Sequence, residues 1–222
     1  MIYVGVDPSL TSTAVTIITP EKIHYFNYTT TTKASKWRKA VEHFVKFVDV
    51  FYTDDNDYST QEIFKLKEYG FTTQKIANDI KEICQNKDVV IGIESYSQQS
   101  AFGPLQDLIT FGTLLREALY QIVTKNIKII APKSLKSGAC RLSYETDKKG
   151  VCRNPNGLAG GSFVKHNMLE SLMDSGLESE LITYLKENRV FILPLKSIPK
   201  PFDDLVDSEL IARVLITQQT VL

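Results

Sequence analysis

Four acidic positions stand at the ends of regular patterns. Asp7 follows the apolar-rich run Ile2–Val6 and precedes Pro8-Ser9, and Glu94 closes Val89-Val90-Ile91-Gly92-Ile93. Asp204 and Asp207 lie three apart, ahead of Ile211, Val214 and Leu215, so on a helix they begin one inward face. An acid after a strand is weak by itself, because Asp-Pro also opens turns. Asp203 has an ordinary role as a helix N-cap, and Asp204 suits the positive helix end. Asp207 resists such a role, since an ionised carboxylate on a buried stripe is costly unless it is paired or bound to a metal. In open α/β sheets ligand sites gather beyond the carboxyl ends of strands. Acids brought there from two strands and a helix would repel one another unless cations lay between them. Hard oxygen donors suit Mg2+ or Mn2+, and two such ions ~4 Å apart activate a water and stabilise the leaving oxygen of a phosphodiester. The predicted chemistry is two-metal phosphodiester hydrolysis by Asp7, Glu94, Asp204 and Asp207, with Asp203 the alternative to Asp204 as a ligand.

A second feature is a concentration of positive charge. Between Lys125 and His166 there are nine Lys or Arg against two acids, a local charge of +7 that leaves −7 for the rest of a chain whose total is zero. Lys133, Lys136, Arg141, Lys148, Lys149, Arg153 and Lys165 belong to this stretch, and it follows a strand whose carboxyl end should lie near the acids. A phosphate-tracking patch is the functional reading, and a solvated surface is the plain one. Zero net charge argues against a protein that coats DNA by overall basicity.

The elements that must position these residues follow from periodicity. Residues 2–6, 12–19 and 22–32 read as an antiparallel three-strand meander. Apolar residues at three- and four-residue steps predict a helix over 36–51, and a less regular one over 63–83 with a break at Gly70. The stretch 88–94 contains a continuous apolar run, Val89–Ile93, as in a strand buried on both faces of a parallel sheet. A helix over 105–123 and a strand over 127–131 follow. Residues 133–161 show no period and read as a long loop or small hairpin. Helices are expected at 162–174, 178–187 and 202–218, with a short strand at 190–193. The acidic Thr53–Asp57 run lacks the glycine and glutamate of a calcium loop and reads as a helix connection.

At 222 residues, 43% hydrophobic and 23% charged, the chain is of globular type, which excludes disordered, collagen-like and mucin-like classes. No run of about 18 apolar residues occurs and Met1 leads directly into the first strand, so a soluble, intracellular protein is expected, without a membrane partner. Cys84, Cys140 and Cys152 form neither a disulfide framework nor a zinc signature; Cys140 and Cys152 with His166 would be an incomplete ligand set.

The segments Val-Gly-Val-Asp7-Pro8-Ser9, Ile-Gly-Ile-Glu94 and Asp203-Asp204-Leu-Val-Asp207-Ser208, in that order, resemble the RuvC-type Holliday junction resolvases among the RNase H-like nucleases. With Ala101-Phe102-Gly103 and Phe111-Gly112 after the Glu strand, the likeness is to their phage and viral branch. The resemblance implies an α/β fold, an RNase H-like mixed five-stranded sheet flanked by helices, as a single domain over 1–222. It implies Mg2+, as two ions for which Mn2+ may substitute, held by Asp7, Glu94, Asp204 and Asp207. Ala131-Pro132-Lys133-Ser134-Leu135-Lys136 and Gly161-Ser162-Phe163-Val164-Lys165 match the places where the family carries cations near the scissile phosphate, which points to Lys136 and Lys165. Residues 137–160 exceed the family pattern and are expected to form an inserted loop or hairpin on the DNA side. Tyr96, and second Phe102, fall near where such resolvases carry an aromatic that stacks on an unpaired base. The resemblance further implies a homodimer, with the 105–123 helix at its interface, that sets two sites against a four-way junction and makes paired nicks. The implied location is the cytoplasm of a bacterial cell or a virus-infected host cell. A nuclease of the same fold acting on flaps, other branched DNA or RNA shares the chemistry, and a non-catalytic nucleic-acid-binding module leaves the acids without a use. A two-domain actin-like or sugar-kinase ATPase would need a second phosphate loop that the sequence lacks.

Overall fold

The computed structural model describes residues 1–30, 36–53, 55–85, 87–96 and 102–219, with residues 102–104 and 219 described in their backbone only. The described strands are β1 (Ile2–Asp7), β2 (Ser12–Ile18), β3 (Ile23–Thr29), β4 (Val45–Asp49), β5 (Val89–Glu94) and β6 (Ile127–Ile130). They form one mixed sheet in the order β4-β3-β2-β1-β5-β6. β1, β2 and β3 are the antiparallel meander. β5 pairs parallel to β1 and β6 parallel to β5, while β4 pairs parallel to β3 at the other edge.

The described sheet therefore has six strands where the family resemblance implies five. The extra strand lies inside the helix expected over 36–51: helix α1 (Lys36–Val41) stops at a turn, Phe44 N–H to Val41 C=O at 3.1 Å, and β4 begins. Val45 and Phe47 then pack on one side of the sheet and Val48 on the other. An apolar spacing of 44, 45, 47, 48 serves the strand period as well as the helical one, and the open edge of β3 decides between them.

Helix α2 (Tyr58–Cys84) runs through Gly70 without the expected break. Its cap is Asp57, whose carboxylate accepts from Thr60 N–H at 2.8 Å, so the acidic run serves as a helix connection; Asp54 lies outside the described residues. Helix α3 (Phe102–Ile122) packs beside α2 over one face of the sheet. Val4, Val6, Val15, Ile17, Ile91 and Ile93 are buried beneath them.

The other face carries α4 (Pro132–Ser143), α5 (Lys165–Asp174), α6 (Glu180–Glu187), α7 (Arg189–Ile192) and α8 (Phe202–Gln219). Helix α4 replaces the first half of the predicted irregular stretch. Pro132 at its first turn and a buried stripe of only Leu135, Ala139 and Cys140 explain both its formation and its weak signal. Residues 144–159 fold back through two antiparallel bridges, Thr146 with Cys152 and Arg153 with Ala159. Gly150 and Gly157 take positive φ at their turns. The strand expected at 190–193 is instead the helical turn α7: Ile192 alone of its residues is buried, and its N–H bonds Asn188 C=O. Among the described residues no helix is long and apolar enough to cross a membrane.

Candidate active site

Two glycines determine how the acids meet. Gly5 of β1 and Gly92 of β5 are in register on adjacent parallel strands, two residues before Asp7 and Glu94. A Cβ on Gly5 would lie 1.9 Å from the Ser208 carbonyl oxygen and 2.7 Å from the Ala212 nitrogen; one on Gly92 would lie 2.6 Å from Ile211 Cγ2. Helix α8 thus rests directly on the sheet backbone, and a 2.8 Å hydrogen bond between the Thr16 and Ser208 hydroxyls fastens it to β2. The first turns of α8 are thereby carried over the carboxyl ends of β1 and β5.

One carboxylate oxygen each from Asp7, Glu94 and Asp207 lies within 4.8 Å of the others. Asp207 is 2% exposed, and its Oδ1 has no hydrogen-bond partner among the described residues. Burial, then repulsion from Asp207, Asp204 and Glu94, pushes the Asp7 carboxyl well above the usual range. Burial and Asp207 raise Glu94 to about 7, and burial raises Asp207 to about 6 against the pull of Lys165. Three acids with converging oxygens, one of the acids also carrying a buried oxygen without a partner among the described residues, fit a hard divalent cation, which would remove the repulsion.

Asp204 is equally buried but differently satisfied. The Ser12 hydroxyl donates to its Oδ2 at 2.6 Å, Asn27 Nδ2 donates to Ser12 Oγ at 3.1 Å, and the Lys200 ammonium donates to Asp204 Oδ1. Asp203 falls in the first turn of α8, which starts at Phe202, so it is not the N-cap that the sequence suggests. Its carboxylate lies 3.0 Å from Lys165 Nζ and 3.6 Å from Lys200 Nζ, bridging the two cations.

Lys165, the first residue of α5, donates to Asp207 Oδ2. Burial works against its charge, but Asp207, Asp203 and Asp7 together hold the ammonium above its ordinary value. Lys136 is half-buried on α4 and its charge pulls Glu94 downward, which places it beside the cluster. Lys133 and Arg141 are exposed on α4, and the stem of Lys133 lies against Gly161. Lys148, Lys149 and Arg153 are exposed in the 144–159 excursion and make local contacts: Lys149 N–H to Asp147, and the Arg153 guanidinium to Gly157 C=O at 2.9 Å.

Tyr96 is half-buried, its hydroxyl over Gly112 of α3 and 3.3 Å from the Arg116 guanidinium, which also stacks on the ring. Phe102 opens α3, and its side chain lies outside the described residues, as does Ala101. Ser12 and Lys200 are site residues that the sequence reading missed. The available signals are slight: Ser12 and Thr16 share one face of β2, and Lys200 lies four residues before Asp204.

No protein-family model matches the chain, and no curated protein matches it in sequence. Its backbone is similar to that of the yeast mitochondrial Holliday junction resolvase Ydc2, with a TM-score of 0.52 and 15% identity over 98% of this chain and 78% of that one. Thermus thermophilus RuvC in complex with Holliday junction substrate aligns at 11% identity and a TM-score of 0.48, over 100% of this chain and 96% of that one. Another Thermus thermophilus RuvC structure gives 12% identity, the same TM-score and the same coverage. The chain therefore has an RNase H-like fold, a mixed six-stranded sheet with helices on both faces, shared with that yeast structure.

Proposed function

We propose that this chain is a metal-dependent endonuclease that cuts four-way DNA junctions by paired nicks. The observation that carries the reading is the convergence of Asp7, Glu94 and Asp207 at the carboxyl ends of two parallel strands, with the Asp207 Oδ1 buried and unpartnered among the described residues. The fold it shares with a junction resolvase supports the choice of substrate.

Asp7, Glu94 and Asp207 would hold a divalent cation, with Mg2+ the proposed ion, and Asp204 adjoins them. When bound, the metal supplies a water activated for attack and neutralises charge on the leaving oxygen. The water oxygen bonds to phosphorus as the phosphorus–O3′ bond breaks, leaving a 5′-phosphate and a 3′-hydroxyl. Lys165 anchors Asp207, and Lys136 faces the developing negative charge from the α4 side. Lys133, Arg141, Lys148, Lys149 and Arg153 extend a basic surface along which phosphates would lie.

The proposed active species is a homodimer joined through α3 and the adjacent part of α2. Ile63, Leu66 and Ile109 are 53%, 54% and 44% exposed there, around a Lys65–Asp107 ion pair. Such a dimer matches the two-fold character of a four-way junction. Tyr96 is proposed to lie at the junction branch point with its ring backed by Arg116, Phe102 opens the neighbouring helix, and the phage and viral resolvases are the proposed relatives.

Cleavage of a four-way junction, a flap, a linear duplex and an RNA–DNA hybrid, compared with Mg2+ present, tests the substrate. Symmetric paired nicks confined to the junction are expected. Preferential cutting of the hybrid or flap would contradict the assignment of substrate while keeping that of chemistry.

A further inference from the structure

Two lysines reach the acids, and they leave them in different states. Lys165 takes Oδ2 of Asp207, which clusters with Asp7 and Glu94, and leaves Oδ1 buried with no hydrogen-bond partner among the described residues. Lys200 completes Asp204: its ammonium takes Oδ1 while Ser12, itself held by Asn27, takes Oδ2. Both oxygens of Asp204 are therefore engaged by protein donors. Asp7 interacts with Asp204 and with Lys200, so this occupied carboxylate adjoins the open three-acid seat.

A divalent ion at Asp204 would meet an ammonium on Oδ1 and a hydroxyl on Oδ2, and the two positive charges on one carboxylate would repel strongly at bonding distance. We propose that Lys200 is a built-in counter-ion that keeps a second metal ion off Asp204 in the DNA-free protein, so that the free chain holds one divalent ion at Asp7, Glu94 and Asp207. The Lys200 side chain is 55% exposed on a flexible four-carbon stem, so it can turn from Asp204 toward solvent or a phosphate without repacking the core. The second ion seat thus opens by rotation of one side chain.

This inference rests on the metal-centre reading of the acids and deepens it, and its test separates the two. Mn2+ bound per chain is counted by calorimetric titration of the EDTA-stripped full chain at neutral pH, without DNA. Wild type is expected to bind one ion and Lys200→Met two. Asp204→Asn removes a carboxylate that the first ion does not use, so it should still bind one ion, with the dissociation constant changed less than about tenfold by the lost neighbouring charge.

Two ions in wild type, or one ion in a Lys200→Met variant with a native circular dichroism spectrum, would overturn the role of Lys200 and leave the metal centre standing. Should Lys200→Met not fold, Asp204→Asn decides: loss of its single ion would make Asp204 a ligand of the first seat and overturn the inference. No bound Mn2+ in wild type would overturn the metal-centre reading together with this inference.

Discussion

Removing one negative charge from Asp7, Glu94 and Asp207 relieves repulsion that the metal-free protein carries. Burial and repulsion from neighbouring carboxylates raise all three folded-state carboxyls, Glu94 from 4.5 to about 7 and Asp207 from 3.8 to about 6. Between about pH 4 and pH 7 the native state keeps protons that the unfolded chain has released, so this cluster's contribution to stability falls as pH rises through that window. Wild type in EDTA should therefore unfold at lower urea concentration than Asp7→Asn at pH 7.5. At pH 5 the difference should shrink, and Mg2+ should stabilise wild type more at pH 7.5 than at pH 5. A larger advantage of Asp7→Asn at pH 5 would contradict the burial of these acids. Lys136→Ala should slow cleavage and reduce the salt slope of junction binding by about 0.9, the contribution of one phosphate contact. An unchanged slope and rate would make Lys136 ordinary surface. The acids were legible in the sequence because Asp207 sits on an otherwise apolar face and Asp7 and Glu94 end apolar runs. Ser12 and Lys200 were not, since a strand serine and a lysine before a helix are common until the fold sets them against Asp204.

The join between α8 and the sheet aligns the site, and glycine makes that join. Gly5→Ala would place a methyl 1.9 Å from backbone oxygen, so α8 must lift from β1 or the backbone must shift. A loss of about 3 kcal/mol or more is expected, with cleavage falling further than stability because Asp207 leaves Asp7. Gly70 is the control: it lies within α2 with nothing within 4 Å of an added Cβ, so Gly70→Ala should stabilise by about 0.5–1 kcal/mol. Thermal unfolding of the two variants checks both signs. Strands β1 and β5 and helix α8 could be read from the sequence because burial on both faces, or a long inward stripe, leaves a continuous apolar signal. β4 could not, because its five residues satisfy two periods and only the free edge of β3 selects one. Helix α4 was hidden by its composition: three buried residues among lysines, serines and a glycine leave little periodicity to detect.

Across the whole molecule, a net charge of zero is the sum of a basic segment at +7 and a remainder at −7. The fold sets part of that basic segment, Lys136 and Lys165, beside acids drawn from β1, β5 and α8. Under the proposed function, phosphate attraction and metal holding would meet at one end of the sheet, while the opposite layer, α2 and α3, leaves apolar side chains exposed. If that layer joins two chains, Leu66→Glu with Ile109→Glu should give a folded monomer by sedimentation velocity, and junctions should then be nicked singly. A double variant that remains dimeric would place the interface elsewhere. A mixed sheet flanked by helices was legible in outline, since a strand meander followed by alternating strand and helix patterns implies it; a partner for α2 and α3 is not legible, since exposed apolar residues do not name what covers them.

The central claim is that Asp7, Glu94 and Asp207 form a metal-dependent cleavage centre. It is tested most directly by the rate of four-way junction cleavage in Mg2+, measured for wild type and Asp7→Asn side by side. Loss of a metal-holding carboxylate should lower the rate by about a thousandfold or more, at least 4 kcal/mol of barrier, while the variant still binds the junction. Undiminished Mg2+-dependent cutting by Asp7→Asn would contradict the account.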